Sequence, residues 1–396
     1  MINSIMSPHK NRKRTLIVNL FLSLFIFLLL LLSIEFILRS THLFGARISW
    51  AMPDPVLGWR NTPNFNYWNF KENDHPITGT FNSFGWRDSI WTIEKPDNTY
   101  RIAAIGDSYV EAFQVESDKS FLGLTQQALN KTLNISVELM NFGQSGFTQT
   151  EEFIILKNDV SQFSPDMVIL FFLPNNDIED INKETASSKL RPFYRIGYNG
   201  ELLLDTSFNK EFLFKFKSFI NPLKQHSALI SLFAERYNAY AKNRRAKSER
   251  TNRTHASHGI GGVLSLATDS PDPIYLENYN LNKVLIKKMA DFCKERGIRF
   301  MLVTLDINSY IPEIEKQYRA QDSSFDSNFF DDNLRQYAKS LNIEYIGLQS
   351  IFRDYYESTL SPLHWGHLNY KGHEVVSNAL VNKLDPIINS DIENIN

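Results

Sequence analysis

The sequence contains a single cysteine, Cys293, among its 396 residues. One thiol excludes an intrachain disulfide framework and any metal site built from several cysteines. Its neighbours follow a helical pattern, which predicts a packed and unreactive side chain. The chain also lacks an excess of either charge, because its formal net charge is −2. No field of one sign therefore indicates nucleic acid or another polyanion as a partner. No internal repeat is evident.

Apolar side chains are plentiful, at 43% of the residues. This share supports one large domain, alone or with a smaller piece. Residues 15–34 are almost entirely apolar, and about 20 such residues cross a bilayer as a helix. The flank before them is basic, with Lys10, Arg12, Lys13 and Arg14. Basic flanks stay in the cytoplasm. The pattern predicts a cytoplasmic tail at 1–14, a membrane anchor at 15–38 and an extracytoplasmic remainder.

A cleaved signal peptide is the competing interpretation of this N-terminal run. The run is long for a signal peptide, and no small-x-small cleavage site follows it. Glu35, near the outer end, is compatible with an anchor because it can reach the headgroup region. We therefore expect a single-pass protein of the cell membrane that keeps the uncleaved helix.

Residues 39–99 are rich in asparagine, proline and aromatic side chains and have no long periodicity. Such a segment is typical of loops and short strands that pack on a larger domain. A substrate-binding role for Trp59, Trp86 or Trp91 is the alternative to simple packing. Because large aromatic side chains are mostly buried in folded proteins, packing is the favoured interpretation.

From Tyr100 onward, short apolar runs alternate with helical patterns. Strands are predicted at Tyr100–Ile105, Val137–Asn141, Met167–Leu173, Arg299–Leu305 and Asn342–Ile346. Helices are predicted at Phe121–Leu133, Glu151–Val160, Tyr279–Arg296, Asp331–Leu341 and Asn369–Lys383. This alternation predicts an α/β fold, a three-layer α/β/α sandwich with a parallel sheet. The domain is expected to span 100–385 and to be followed by a C-terminal tail at 386–396.

An insertion at about 183–275 interrupts the alternation. Phe212–Phe219 and Ala228–Tyr240 are candidate helices. Lys242–Pro273 begins with a basic run and continues through glycines and prolines, a composition that predicts a mobile loop. The alternative for its cations, such as Arg244 and Arg245, is contact with a polyanion.

Polar residues follow the first three predicted strands. The first strand leads into Gly106-Asp107-Ser108, and a serine on such a turn stands clear of the fold as a nucleophile that needs a neighbouring base. Asn141–Gly146 follows the second strand and Pro174–Asp177 the third. In an open parallel sheet, ligands bind beyond the carboxyl ends of the strands. These three loops, with a histidine segment at His367, therefore predict one site.

These segments resemble the blocks of the SGNH (GDSL-type) hydrolase family, over about residues 57–384. The resemblance implies a flavodoxin-like sheet, Ser108 as nucleophile and His367 as catalytic base. It places the oxyanion hole on Gly146, with Gly143 as a less favoured choice, and on Asn176. Asp107 is expected to support the turn that carries the serine.

One departure from the family concerns the acid that orients the histidine. The family has an aspartate three residues before the histidine, where this chain has His364. A histidine supplies no fixed negative charge, and an acid that holds the tautomer has a large effect on turnover in serine hydrolases. Three alternatives stay open: a backbone carbonyl, a carboxylate from elsewhere, or a Ser–His dyad. Asp354 and Glu357 are the nearest acids upstream.

The function expected from these residues is that of a membrane-anchored serine esterase without a cofactor. Its expected substrates are acyl esters, acetyl esters among them, on envelope or secreted glycans. A zinc site of His364, His367 and His373 is disfavoured, because such a site usually needs its ligands on one face with a carboxylate or thiolate partner, and the segment fits the hydrolase block better. Two other functions stay open: an O-acyltransferase on the same glycans, and a degenerate fold that binds a glycan or a protein.

Overall fold

We describe a computed structural model of the chain, which covers residues 8–45, 47–70, 72–253, 260–305 and 308–395. Its first helix, α1, spans Pro8–Thr41. Within α1, Arg14–Thr41 is long and apolar enough to cross a membrane, and none of its most apolar stretch is buried within the protein. An exposed apolar helix near the N-terminus fits a membrane anchor and a signal sequence equally well.

The strands fall into a central parallel sheet and three short antiparallel hairpins within the described residues. The strands, in chain order, are β1 (Ala51–Asp54), β2 (Gly58–Asn61), β3 (Asn66–Asn69), β4 (Ile77–Thr80), β5 (Thr99–Gly106), β6 (Ser136–Gly143), β7 (Met167–Phe172), β8 (Phe193–Ile196), β9 (Leu202–Asp205), β10 (Arg299–Thr304) and β11 (Glu344–Gly347). The hairpins pair β1 with β2, β3 with β4, and β8 with β9.

The central sheet has the order β11-β10-β7-β5-β6, and all of its strands are parallel. This order is the flavodoxin-like one, so the predicted fold class is confirmed. The switch point lies at β5, which pairs with β6 on one side and β7 on the other. Because ligands bind at the switch point of such sheets, the loop after β5 is the expected centre of a site.

Helices cover both faces of the sheet. The helices after α1 are α2 (Ser108–Glu111), α3 (Phe121–Thr132), α4 (Gln149–Ile155), α5 (Pro174–Glu179), α6 (Phe212–His226), α7 (Ala228–Arg253), α8 (Pro273–Lys294), α9 (Pro312–Gln321), α10 (Phe329–Leu341), α11 (Gln349–Thr359) and α12 (Tyr370–Ile395). One apolar cluster packs α4, α8 and α10 on one face of the sheet. A second cluster packs α3, α11 and α12 on the other, which gives the expected three layers.

Aromatic side chains of the segment before β5 pack on the sheet domain. Trp86 and Trp91 contact Phe142 with ring centroids 5.2 and 4.7 Å apart. Trp59 lies against Phe147 at 6.1 Å. The hairpin of β3 and β4 has its own small core, in which Tyr67 and other aromatic side chains are buried.

Two segments differ from the sequence predictions. The basic run that begins at Lys242 continues α7 to Arg253 instead of forming a loop, whereas residues 254–259 lie outside the described residues. The proposed tail at 386–396 belongs to α12 as far as Ile395. Its Asp391 carboxylate accepts a hydrogen bond from Tyr100 at 2.7 Å and pairs with Arg299, so these last turns are tied to the sheet.

The chain divides into two compact units, which differ from the predicted domains. One unit combines the N-terminal residues up to Ser49 with Phe219–Lys247. The other contains Trp50–Ser218 and the residues from Ser248 onward. Part of the predicted insertion thus packs with the N-terminal helix instead of with the sheet domain.

Candidate active site

Ser108 is the first residue of α2 and follows directly on the sharp turn at the end of β5. The carboxylate of Asp107 caps α2 by accepting a hydrogen bond from the Tyr109 backbone N–H at 2.9 Å. A side chain at Gly106 would place its Cβ 2.5 Å from a methyl group of Val110. The turn therefore needs glycine for close packing and aspartate for its cap, and it presents Ser108 at the carboxyl edge of the sheet.

The predicted nucleophile and base are in hydrogen-bond contact. Ser108 Oγ lies 2.8 Å from His367 Nε2, although 259 positions separate the two residues in the sequence. His367 belongs to the loop between α11 and α12, and its ring packs on the Tyr109 ring at 4.9 Å. The structure thus brings together the two segments that the sequence analysis paired.

The other ring nitrogen of His367 faces Glu72, an acid that the sequence analysis missed. His367 Nδ1 lies 2.9 Å from Glu72 Oε1, and the His367 backbone N–H donates to Glu72 Oε2 at 2.7 Å. Serine, histidine and carboxylate therefore form a continuous chain of hydrogen bonds, the arrangement of a catalytic triad. The acid comes from neither Asp354 nor Glu357 but from the hairpin loop between β3 and β4.

Glu72 is ionised across the physiological pH range. Desolvation raises its pKa, but the hydrogen bonds from the His367 side chain and backbone and the charge of that ring outweigh it and lower the pKa to about 2. Because the folded-state pKa lies below the ordinary 4.5, the contribution of Glu72 to stability is present above pH 4.5 and is lost as the pH falls toward 2. A fixed negative charge thus faces Nδ1.

The loop that carries Glu72 is fastened to the sheet domain beside the site. Asn73 Nδ2 donates to the Gln114 carbonyl at 2.9 Å and to the Tyr370 hydroxyl at 3.0 Å. That hydroxyl donates in turn to Glu116 at 2.7 Å. Glu72 itself has a φ of +68°, a backbone conformation that is uncommon outside glycine and asparagine. These contacts hold the strained residue in place.

His364, at the position where the SGNH family has an aspartate, forms no hydrogen bond with Ser108. Its Nδ1 lies 3.2 Å from the Tyr310 hydroxyl, and its ring packs among Tyr109, Tyr310 and Phe352. Burial lowers its pKa to about 4, so the ring is neutral at pH 7. His364 therefore supports the loop by packing and carries no charge toward His367.

The two glycines considered for the oxyanion hole have different environments. Gly143 N–H already donates to Asn141 Oδ1 at 2.8 Å, and a Cβ there would lie 2.4 Å from the Glu111 nitrogen. Gly146 has a φ of +77° and open space where a Cβ would be. No atom of the described residues accepts a hydrogen bond from its N–H. Gly146 is therefore the glycine whose N–H is available to a ligand.

Asn176 contacts the turn that carries Ser108. Its Nδ2 donates to Asp107 Oδ2 at 2.9 Å. This contact fixes the orientation of the amide, because only its nitrogen can donate to a carboxylate, and it leaves the second amide hydrogen for another acceptor. Asp107 thus links the turn that carries Ser108 to the amide of Asn176.

Three fully buried carboxyl groups extend from this point into the core. Gln149 Nε2 donates to Asp177 Oδ2 at 2.9 Å and to Glu152 Oε2 at 3.1 Å. Desolvation, followed by the negative charges of neighbouring carboxylates, raises the pKa of Glu152 well above 4.5. Desolvation also raises the pKa of Asp107 and of Asp177. The group of carboxyls therefore favours holding a proton in the folded protein.

Replacing Glu152 should make stability less sensitive to alkali. A carboxyl whose pKa is raised by folding destabilises the folded state progressively as the pH rises above its unfolded value. We expect Glu152→Gln to raise the melting temperature at pH 8 by roughly 3 °C or more and to leave it nearly unchanged at pH 4. Thermal denaturation at both pH values measures this, with Glu184→Gln as a surface control. An equal shift at both pH values would contradict it.

The three histidines of the disfavoured zinc site point to different partners. His373 Nδ1 accepts a hydrogen bond from the Phe121 backbone N–H at 3.1 Å, and burial lowers its pKa to about 3. His364 faces Tyr310, and His367 faces Ser108 and Glu72. Over the part of the chain that the structure describes, no group of three or more His, Cys, Asp or Glu residues is arranged to hold a metal ion.

Of the comparisons with known proteins, only the comparison with solved structures finds proteins that are similar to this chain. No protein-family model matches the sequence, and no curated protein matches it. The chain is similar to a lipolytic protein of the G-D-S-L family from Desulfitobacterium hafniense, with 14% identity, 71% of this chain and 98% of that chain covered, and a TM-score of 0.35. It is also similar to the acetyl xylan esterase AlAXEase, with 16% identity, 72% and 98% covered, and a TM-score of 0.38. An acetyl xylan esterase from Geobacillus stearothermophilus has 13% identity, with 72% and 93% covered and a TM-score of 0.38.

Proposed function

We propose that the protein is a serine esterase that hydrolyses acyl esters at Ser108. The observation that carries this proposal is the chain of contacts from Ser108 Oγ to His367 Nε2, 2.8 Å, and from His367 Nδ1 to Glu72, 2.9 Å. A serine hydroxyl becomes a competent nucleophile when a base accepts its proton and an acid orients that base. In this proposal Ser108 is the nucleophile, His367 the base and Glu72 the acid.

The first half of the reaction forms an acyl-enzyme. The ionised Glu72 keeps the proton of His367 on Nδ1, which leaves Nε2 free to accept the proton of Ser108. Ser108 Oγ attacks the ester carbonyl carbon, and the carbonyl oxygen becomes an oxyanion. When the intermediate collapses, the carbon–oxygen bond to the alcohol breaks, and His367 Nε2 returns its proton to the departing alcohol.

The second half releases the acid. Water gives a proton to His367 Nε2 and attacks the acyl carbon, and the bond to Ser108 Oγ then breaks as that oxygen regains the proton. The developing oxyanion is stabilised in both halves by the N–H of Gly146 and the free amide hydrogen of Asn176. Preorganised donors of this kind are effective because they need no reorientation when charge develops.

Loss of the Asn176 amide should slow the chemical step. We expect Asn176→Ala to lower kcat by roughly a hundredfold to a thousandfold with a smaller change in KM, as for other side-chain oxyanion donors. Steady-state hydrolysis of 4-nitrophenyl acetate measures both constants. Asn175→Ala is the matched control, since its exposed side chain precedes Asn176 in the same helix. A kcat for Asn176→Ala within threefold of the wild type would remove Asn176 from the oxyanion hole.

We infer that the site acts outside the cytoplasmic membrane, with α1 as a single-pass anchor and the N-terminus in the cytoplasm. The exposed apolar stretch of α1 and the basic residues before it support this topology. Acylated glycans of the envelope, acetylated ones among them, are the substrate class that we propose. Trp365, two residues before His367, is 44% exposed and offers an aromatic surface beside the site.

Release of acetate from acetylated glycans tests this function. Purified full-length protein in detergent should release acetate from O-acetylated polysaccharide and should hydrolyse short-chain 4-nitrophenyl esters. Addition of a free sugar acceptor separates hydrolysis from the acyl-transfer alternative, because a transferase would form an acylated sugar in place of acetate. Failure of the folded protein to hydrolyse any of these esters would refute the proposal.

A further inference from the structure

Helix α6 exposes a stripe of large apolar side chains. Phe219 is 80% exposed and Leu223 is 54% exposed. Phe212 and Phe216, at 81% and 47%, precede them at intervals of three and four residues, which places all four on one helix face. The opposite face is packed, since Phe214 and Asn221 are buried. The exposed stripe is thus a whole helix face and not a set of scattered residues.

The composition of α6 is that of a helix that lies in a membrane interface. Its apolar face is rich in phenylalanine, and two exposed lysines, Lys215 and Lys217, accompany it. Helices with bulky apolar residues on one face and lysines beside them bury the apolar face at the boundary between lipid headgroups and acyl chains.

The C-terminal end of α6 is fixed to the outer part of α1. The Arg39 guanidinium donates a hydrogen bond to the His226 carbonyl at the last residue of α6. The Glu35 carboxylate accepts from the backbone N–H groups of Ala228 and Leu229 at 2.7 and 3.0 Å, and so caps the start of α7. Leu38 packs on Ala228 in a small apolar cluster. The junction of α6 and α7 therefore lies at the level of Glu35, near the outer end of the apolar helix.

We propose that α6 is a second membrane contact, whose Phe219 and Leu223 insert into the outer surface of the bilayer that α1 spans. This inference goes beyond the esterase chemistry and rests on the proposed anchoring by α1. The residues that hold the end of α6 belong to α1. Since α1 is the proposed membrane anchor, these contacts place the exposed face of α6 next to a lipid surface.

Helix α7 provides an internal control for the depth of α6, because its partners lie beyond the end of the apolar helix α1. Arg236 donates to the Phe44 carbonyl at 2.8 Å, and Glu235 pairs with Arg47 at 3.2 Å. These partners follow the end of α1 in the chain, so α7 runs from the level of Glu35 toward Phe44 and Arg47. Asn238, which is exposed on α7, is expected to lie in water above the lipid surface.

Depth measurements in lipid nanodiscs test the inference on the full-length protein. An environment-sensitive fluorophore is attached to Phe219→Cys, Leu223→Cys, Asn238→Cys and Phe27→Cys, one at a time. Wild-type protein, with its buried Cys293, measures background labelling. Nitroxide-bearing phospholipids then serve as quenchers. We expect strong quenching at 27, quenching at 219 and 223 that is roughly half as strong or more, and little at 238.

The outcomes separate this inference from the anchoring on which it rests. Without quenching at 27, the anchor proposal fails and the inference fails with it. Quenching at 27 with none at 219 and 223 overturns the inference alone, and a blue-shifted but unquenched fluorophore at 219 would indicate a protein partner instead. As a second measurement, the Phe219→Glu/Leu223→Glu protein should lose protection of α6 from hydrogen exchange in nanodiscs while its 4-nitrophenyl acetate hydrolysis is unchanged.

Discussion

Ser108→Ala is expected to lower kcat/KM for 4-nitrophenyl acetate by roughly ten-thousandfold or more. Alanine removes the oxygen that forms the acyl-enzyme in the proposed reaction. The 2.8 Å contact with His367 is the one hydrogen bond of that hydroxyl among the described residues. Stopped-flow or steady-state hydrolysis measures the rate, and circular dichroism melting verifies that the variant is folded.

The control for this substitution is Ser361→Ala, which removes an exposed hydroxyl and should leave activity within about twofold of the wild type. Both variants are prepared and assayed as full-length protein in the same detergent. Retention of more than a tenth of the wild-type activity in Ser108→Ala would contradict Ser108 as the nucleophile, because no other step in the proposed reaction bypasses its oxygen.

Glu72→Gln is expected to lower kcat by roughly a hundredfold to ten-thousandfold and to change KM little. The amide keeps the size of the side chain but loses the charge that stabilises the imidazolium formed in the transition state. Its NH₂ group can also face Nδ1, which would favour the tautomer in which Nε2 carries the proton and cannot act as a base. Glu72→Asp keeps the charge and should retain more activity than Glu72→Gln.

Asp74→Asn is the matched control for Glu72→Gln. Asp74 lies two positions away in the same hairpin loop, and its side chain is 93% exposed. We expect it to keep activity within about twofold, as most exposed substitutions do. The pH dependence of the rate separates this role from a merely structural one. Removal of the carboxylate should shift the limb of the pH–rate profile that reflects protonation of the catalytic base. An unaltered kcat in Glu72→Gln would support a Ser–His dyad.

The sheet and the serine turn could be predicted because their determinants are local. Buried parallel strands are short apolar runs, and the run Met167–Leu173 therefore predicts a strand. The observed strand, β7, spans Met167–Phe172. The Gly106-Asp107-Ser108 turn follows its strand directly and has the packing and capping that its residues indicate. Pairing Ser108 with His367 required a resemblance to a family, because the sequence itself does not connect segments so far apart.

Glu72 could not be predicted from the sequence. It lies 295 positions from His367, in a segment without helical or strand periodicity, and only the position of the hairpin brings it to the ring. The one local signal was a run of polar residues from Glu72 to His75 within an otherwise aromatic segment. The histidine at position 364 indicates that the acid must come from elsewhere in the chain. Many other carboxylates are equally good candidates from the sequence alone.

The basic run after Lys242 was predicted as a loop for a reason that does not hold. Charge and polarity alone do not indicate disorder, because lysine, arginine, glutamate and alanine are good helix formers. The run contains no proline and no glycine between Lys242 and Arg253, so nothing ends α7 earlier. Helix α12 also continues past the predicted end at Lys383, to Ile395, although Pro386 lies within it.

Covalent labelling tests the central claim, that Glu72, His367 and Ser108 act as one triad, most directly. Wild-type protein is incubated with a fluorophosphonate, and mass spectrometry locates the adduct and gives its rate of formation. We predict one adduct, on Ser108, that forms roughly a hundredfold or more slowly in Glu72→Gln and His367→Ala and at the wild-type rate in Asp74→Asn. An adduct on another residue, or labelling of Ser108 at the same rate in Glu72→Gln as in the wild type, would contradict the triad.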